Sequence, residues 1–134
     1  MSEAVPQDSE VTLISKERSV AAEVIKRKDG LVLLKAEGDK WSTVGFTNSS
    51  DVELGQRVFF LGTFLDNLEL KNIVNEGILK YVTEEEIETN ISDENILAGS
   101  PLFDLKGNLV GMKSITQDGA FVIPISKISE FSGF

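Results

Sequence analysis

Cysteine and histidine are both absent from the 134 residues of this chain. Without cysteine there is no disulfide scaffold, no thiol nucleophile and no zinc site built on thiolates. Without histidine there is no imidazole general base, no imidazole metal ligand and no histidine pH switch. On its own residues the chain therefore cannot run a Ser–His–Asp triad. Basic residues are scarce: 13 Lys and Arg face 22 Asp and Glu, for a formal net charge of −9. That balance argues against nucleic-acid binding, which needs a basic stripe to displace counterions. It argues equally against docking on an anionic membrane surface. No apolar run is long enough to span a bilayer as a helix. The start, MSEAVPQDSE, is polar and acidic and does not read as a signal peptide. The lack of thiols fits a reducing compartment and an exported protein alike.

What is present is a core. Hydrophobic residues make up 41% of the chain, too many for a disordered acidic tail. Residues 1–9 read as a loose leader. Beyond them the dominant period is two, the strand period. Strands are expected at 10–14, at 20–28 and, as a continuous apolar buried run, at Leu31–Ala36, with the Asp29-Gly30 turn making a hairpin of 20–36. A polar stretch, 48–55, precedes a buried strand at Arg57–Gly62. Leu70–Val82 reads as a long hairpin bent or bulged at Gly77. Pro101–Asp104 and Leu109–Ile115 flank the tight turn DLKGN, and Asp118-Gly119 turns into Ala120–Ile125. Ser126 is placed to cap a short terminal helix. Short strands separated by frequent turns indicate an all-β barrel or sandwich.

The segment LAGSPLFDLKGNLVGMKSI, followed by AFVIPISKI, resembles the protease domain of HtrA/Deg-type trypsin-like serine proteases. That family has N-S-G-G-P-L, a glycine turn, a V/I-V/I-G-I/M strand and then F-x-I-P-I. Gly99, Pro101, Leu102, Gly107, Val110, Gly111, Met112, Pro124 and Ile125 fall on the pattern, and Thr89 matches an upstream Q-T-D. Three earlier fragments, EVIKRKDGLVLLKAEG, NSSDVELGQRVFFLG and NEGILKYV, resemble family segments in the same order. The resemblance covers about residues 10–131. It implies an all-β, double-barrel fold in which residues 47–134 form a complete six-stranded C-terminal barrel. Residues 10–46 would supply only three strands of the N-terminal one.

The departures bear on chemistry. By the resemblance, the nucleophilic serine falls on Ala98, the preceding asparagine on Leu97 and the glycine before it on Ile96. The second glycine after the nucleophile becomes Ser100, and the triad aspartate falls on Gly30, one position from Asp29. Alanine has no oxygen to attack a carbonyl. Bulky residues replace the glycine-rich turn that holds oxyanion-binding N–H groups. The expected outcome is a loop collapsed inward, with Leu97 buried beside Ala98, Gly99 and Ser100.

Other features have a functional and a plainer reading. Ser100 is either a shifted nucleophile or a hydroxyl bonded to its own turn; with no base to activate it, the turn is preferred. Glu84, Glu85, Glu86, Glu88, Asp93 and Glu94 offer oxygens to a hard cation, yet no EF-hand spacing is present. They are read as a solvated acidic loop or edge strand rather than a helix start. Trp41 with Phe46, and Phe59, Phe60 and Phe64, are read as core. Phe59 and Phe60 are adjacent in a strand and must point to opposite faces. No dinucleotide or phosphate loop occurs, and no metal or cofactor is expected.

The expected function is that of a non-catalytic pseudoprotease domain serving as a protein-binding or assembly module. Two other readings fit the residues. One is a fragment or partner of an active serine endopeptidase whose histidine lies upstream. The other is an unrelated small β-barrel that binds a ligand. A half barrel at 10–46 leaves apolar strands and open edges, so self-association as a homodimer, or pairing with a protein partner or upstream sequence, is expected there; the alternative is a monomer in which the three strands fold down on the C-terminal barrel as a small extra sheet. No nucleic acid or membrane segment is expected, and the resemblance implies an extracytoplasmic parent protein.

Overall fold

The computed structural model describes residues 10–38, 41–92 and 96–133; the expected leader at 1–9 lies outside the described residues. Alternating apolar and polar residues in Val11–Ile14 (β1), Ser19–Lys28 (β2) and Leu31–Ala36 (β3) build an antiparallel sheet in that order. Asp29 and Gly30 connect β2 to β3 with φ of 51° and 79°, the paired left-handed conformation of a tight hairpin. The register sets Val11 and Ala36 on either side of Ala22, Leu13 opposite Val20, and Val24 opposite Leu34. Directly opposed residues share a face, so one face is wholly apolar over these rows. All seven of these side chains are half-buried, while Thr12, Ser19, Glu23 and Lys35 on the other face are exposed. The apolar run of β3 is thus not a buried strand. Only Leu31 is buried, because no described element covers the apolar face and the remaining side chains shield only one another.

The second sheet is a closed barrel. Its strands are Arg57–Asp66 (β4), Glu69–Val82 (β5), Ile87–Thr89 (β6), Pro101–Asp104 (β7), Leu109–Thr116 (β8) and Gly119–Pro124 (β9). They run in the order β4-β5-β6-β9-β8-β7. The barrel consists of two three-stranded meanders. Closure pairs first strand with first, β4 with β7, and third with third, β6 with β9, both antiparallel. Val58, Phe60, Leu79, Ile87, Leu102, Val110 and Val122 fill the interior, with Ile91 and Ile96 added from the segment between β6 and β7. Each such buried side chain contributes about 1.5–3 kcal/mol relative to exposure. Among the described residues no helix is long and apolar enough to cross a membrane.

A second apolar cluster lies outside the barrel wall. Phe103, Leu109 and Ile123 meet Ile125 and Ile128 of the helix Ile125–Ser132 (α1), and Leu31 of β3 joins them. This cluster fastens the N-terminal sheet to the barrel. Phe59 packs here, its ring 5.6 Å from that of Phe103, while Phe60 points into the barrel, as strand alternation requires. The linker is held by β8: Leu109 donates to the Gly45 carbonyl at 2.8 Å and accepts from the Thr47 N–H at 3.0 Å.

Several expectations need correction. Leu70–Val82 is not a hairpin but part of one continuous strand, β5, in unbroken register with β4 through Gly77. The irregularity lies between Leu79 and Tyr81, opposite β6. Gly77 serves close packing instead, since a Cβ there would sit 2.3 Å from Asn90 Oδ1 and 2.6 Å from Ile91 Cγ1. Trp41 and Phe46 are exposed rather than core; the Arg18 guanidinium lies 3.9 Å from the Trp41 ring centroid. Ser126 does not cap α1. The helix starts one residue earlier, after Pro124, whose fixed φ sets the chain direction, and no side chain caps it.

The DLKGN turn is held by Asp104, which is buried and accepts at Oδ1 from the N–H groups of Lys106 and Asn108, both at 2.9 Å. Across the barrel wall, a Cβ at Gly111 would meet the Ile123 carbonyl oxygen and Val122 Cγ1, each at 2.5 Å. The first is backbone of a paired strand and cannot step aside. Gly111→Ala is therefore expected to destabilise the barrel by about 1–3 kcal/mol in urea unfolding. Gly55→Ala, which meets nothing within 4 Å but sits at φ 79°, should cost only about 1 kcal/mol.

Candidate functional site

The segment from Ile96 to Ser100 leads into β7. Ile96 is buried to 3% in the barrel interior against the residues that β4 and β7 contribute. Leu97 is 55% exposed. The expected inward collapse thus takes place through Ile96 and not Leu97. The side chain before the turn is the one that joins the barrel core. Leu97–Ser100 is a closed turn: the Ser100 N–H donates to the Leu97 carbonyl at 3.1 Å. Gly99 turns at φ 89°, a conformation that strains any residue with a Cβ.

Strand β8 holds the turn in place. The Gly99 N–H donates to the Lys113 carbonyl at 2.8 Å, and the Lys113 N–H donates to the Ser100 carbonyl at 2.9 Å. Ser100 is buried, and its position is set by this backbone ladder. The next residue of β8 meets Gly30: a Cβ there would lie 3.8 Å from Ser114 Oγ and 4.0 Å from Ile123 Cδ1. Two positions far apart in sequence, Gly30 and the 98–100 turn, are thus set against neighbouring residues of one strand. These positions carry a glycine with no side chain, an alanine methyl and a buried serine.

A family model described as the trypsin-like peptidase domain matches residues 2–112. The chain belongs to the trypsin-like peptidase domain family. No curated protein matches it. The match spans both Gly30 and Ala98, so both lie within the region that carries the family likeness.

Sequence reasoning missed two residues of this trypsin-like domain. Lys113 is buried to 4% beneath the turn, its ammonium 5.8 Å from the Phe60 ring centroid. Ser114 faces Gly30. The signal was available in GMKSI, because strand alternation sets Lys113 and Ser114 on opposite faces of β8.

Of the grooves among the described residues, two are lined by neither Gly30 nor any residue of the 97–100 turn. One, of about 410 Å³, lies beside the Asp104 turn; the other, of about 620 Å³, lies between the Thr83–Glu85 loop and the start of α1. The acidic run borders the second as a turn and then as β6. That strand is no edge, since β5 and β9 flank it. Thr83 accepts from the N–H groups of Glu85 and Glu86 at Oγ1, Glu88 pairs with Lys80 at 3.6 Å, and Glu85 pairs with Lys127. Asp93 and Glu94 lie outside the described residues.

The hydrogen bond that Lys127 donates to Glu85, more than the surrounding carboxylates, raises the Lys127 pKa above its ordinary 10.5. A lysine raised on folding adds stability that is fully present below its unfolded pKa and is lost as pH rises through the folded one. Lys127→Met should therefore remove part of the stability loss seen above about pH 10.5. It should change little near neutrality, because an exposed pair is screened by water and salt. Urea unfolding across alkaline pH measures both. At the turn, Ile96→Ala should cost about 2–5 kcal/mol, whereas Leu97→Ala should stay within about 0.5 kcal/mol of wild type; paired unfolding curves check the contrast.

Proposed function

We propose that this trypsin-like domain is a non-catalytic member of the family, related to the HtrA/Deg proteases, which acts as a protein-binding or assembly module. The observation that carries the reading is Ala98. It stands where the resemblance sets the nucleophile, in a turn closed by bonds to Leu97 and Lys113. A methyl group has no lone pair to offer a carbonyl carbon. The chain has no histidine to take or return a proton. Gly30, at the aspartate position, has no carboxylate with which to orient an imidazole.

These three losses are independent. A histidine contributed by another polypeptide would still find no hydroxyl at position 98 and no carboxylate at position 30. The fragment reading therefore explains less of the sequence than the non-catalytic one. The side chain at 96, glycine by the family pattern, now contributes to the barrel core. Stability has taken over a position that catalysis would keep clear.

Incubation with a fluorophosphonate serine-hydrolase probe should leave the protein unlabelled, and casein should remain uncleaved. Ala98→Ser should also stay unlabelled, since restoring the hydroxyl alone supplies neither base nor carboxylate. Labelling of the unmodified chain, or casein turnover by it, would overturn the reading.

A further inference from the structure

We propose that the apolar face of the β1-β2-β3 sheet is closed by the same sheet of a second copy, forming a six-stranded barrel shared between two chains. This rests on the assembly reading above and names its partner. The closure rule comes from the barrel that each chain already contains. There, two meanders join first strand to first and third to third, both antiparallel. The N-terminal sheet is one such meander, and among the described strands its first and third members, β1 and β3, are the edges. A two-fold axis perpendicular to the strands reverses their direction. It therefore sets β1 antiparallel to β1 of the second copy and β3 antiparallel to its β3. That single operation reproduces the closure of the existing barrel and leaves no strand edge open.

The side chains suit an interior. The rows Val11–Ala22–Ala36, Leu13–Val20 and Val24–Leu34 are small or aliphatic, as the inside of a narrow barrel requires. Arg27, opposite Val32 beyond the irregularity in β2, lies at the end of this face, where its stem can cover apolar surface and its head can reach water.

Charge favours a second copy as the occupant. Residues 47–134 carry 14 acids and 6 bases, so copies meeting through their barrels would repel. Residues 10–46 carry 6 acids and 7 bases and can meet themselves without that penalty.

Sedimentation of the full chain from about 1 to 300 µM, the range that brackets micromolar dimers, should show a species of twice 14.7 kDa. Val24→Lys places a charge inside the shared barrel and should shift the population to monomer. A second measurement leaves the interior untouched. The chain has no cysteine, so Lys35→Cys or Leu33→Cys in β3, and Thr12→Cys in β1, report only on their own copies across the axis. Under mild oxidation at least one β3 variant and the β1 variant should form disulfide-linked dimer about tenfold above a Lys106→Cys control. A monomer at every concentration overturns the proposal, as does a dimer that ignores Val24→Lys or cross-links no better at β1 and β3 than at Lys106. A monomer that stays unlabelled by the hydrolase probe would remove the shared barrel and leave the non-catalytic reading standing. A labelled dimer would do the reverse.

Discussion

The backbone of β8 is the constraint on which the rest of the molecule depends. It pairs with β7 on one side and β9 on the other within the barrel. At Leu109 it grips the linker that joins the two sheets, and at Lys113 it holds the 97–100 turn. At Ser114 it meets Gly30, in the turn of the β2–β3 hairpin. Backbone hydrogen bonds specify geometry without specifying side chains. A frame fixed this way survives replacement of the residues mounted on it. That explains how the turn and the hairpin keep their places with Ile96, Ala98 and Gly30 mounted on them.

Packing fills the same frame. Ile96 fills the barrel end, and Lys113 lies beneath the turn with its ammonium over the Phe60 ring. Both positions stabilise the fold. The exposed resource of the chain is the apolar side of its first sheet, where alternation is clean and no described element covers it.

Much of this was legible in the sequence, and the failures have physical causes. Period-two alternation located β1, β2, β8 and β9. Asp29-Gly30 marked a turn because left-handed φ at both positions favours that pair. The string LAGSPLFDLKGNLVG marked the family because its glycines and proline sit where the backbone has no alternative. Gly77 misled because a strand glycine signals either a bend or a close approach, and the crowding by Asn90 and Ile91 is visible only in three dimensions. Trp41 misled because composition cannot show that an arginine covers a ring that never enters a core. Leu97 and Ile96 are neighbours of similar hydrophobicity, and which one enters the barrel depends on where the Leu97–Ser100 bond closes the turn.

The central claim is that the family's nucleophile turn is here a closed structural turn rather than an open receptor for an acyl group. Residue-resolved amide hydrogen exchange at Ile96 and Ala98, where the resemblance sets the oxyanion-binding N–H groups, with and without a peptidyl phosphonate, tests it most directly. Exchange that the phosphonate leaves unchanged is the predicted result, because Ala98 has no oxygen with which to hold the phosphonate there. Exchange at these two residues that slows when the phosphonate is added would show donors held ready for a ligand and would contradict the account.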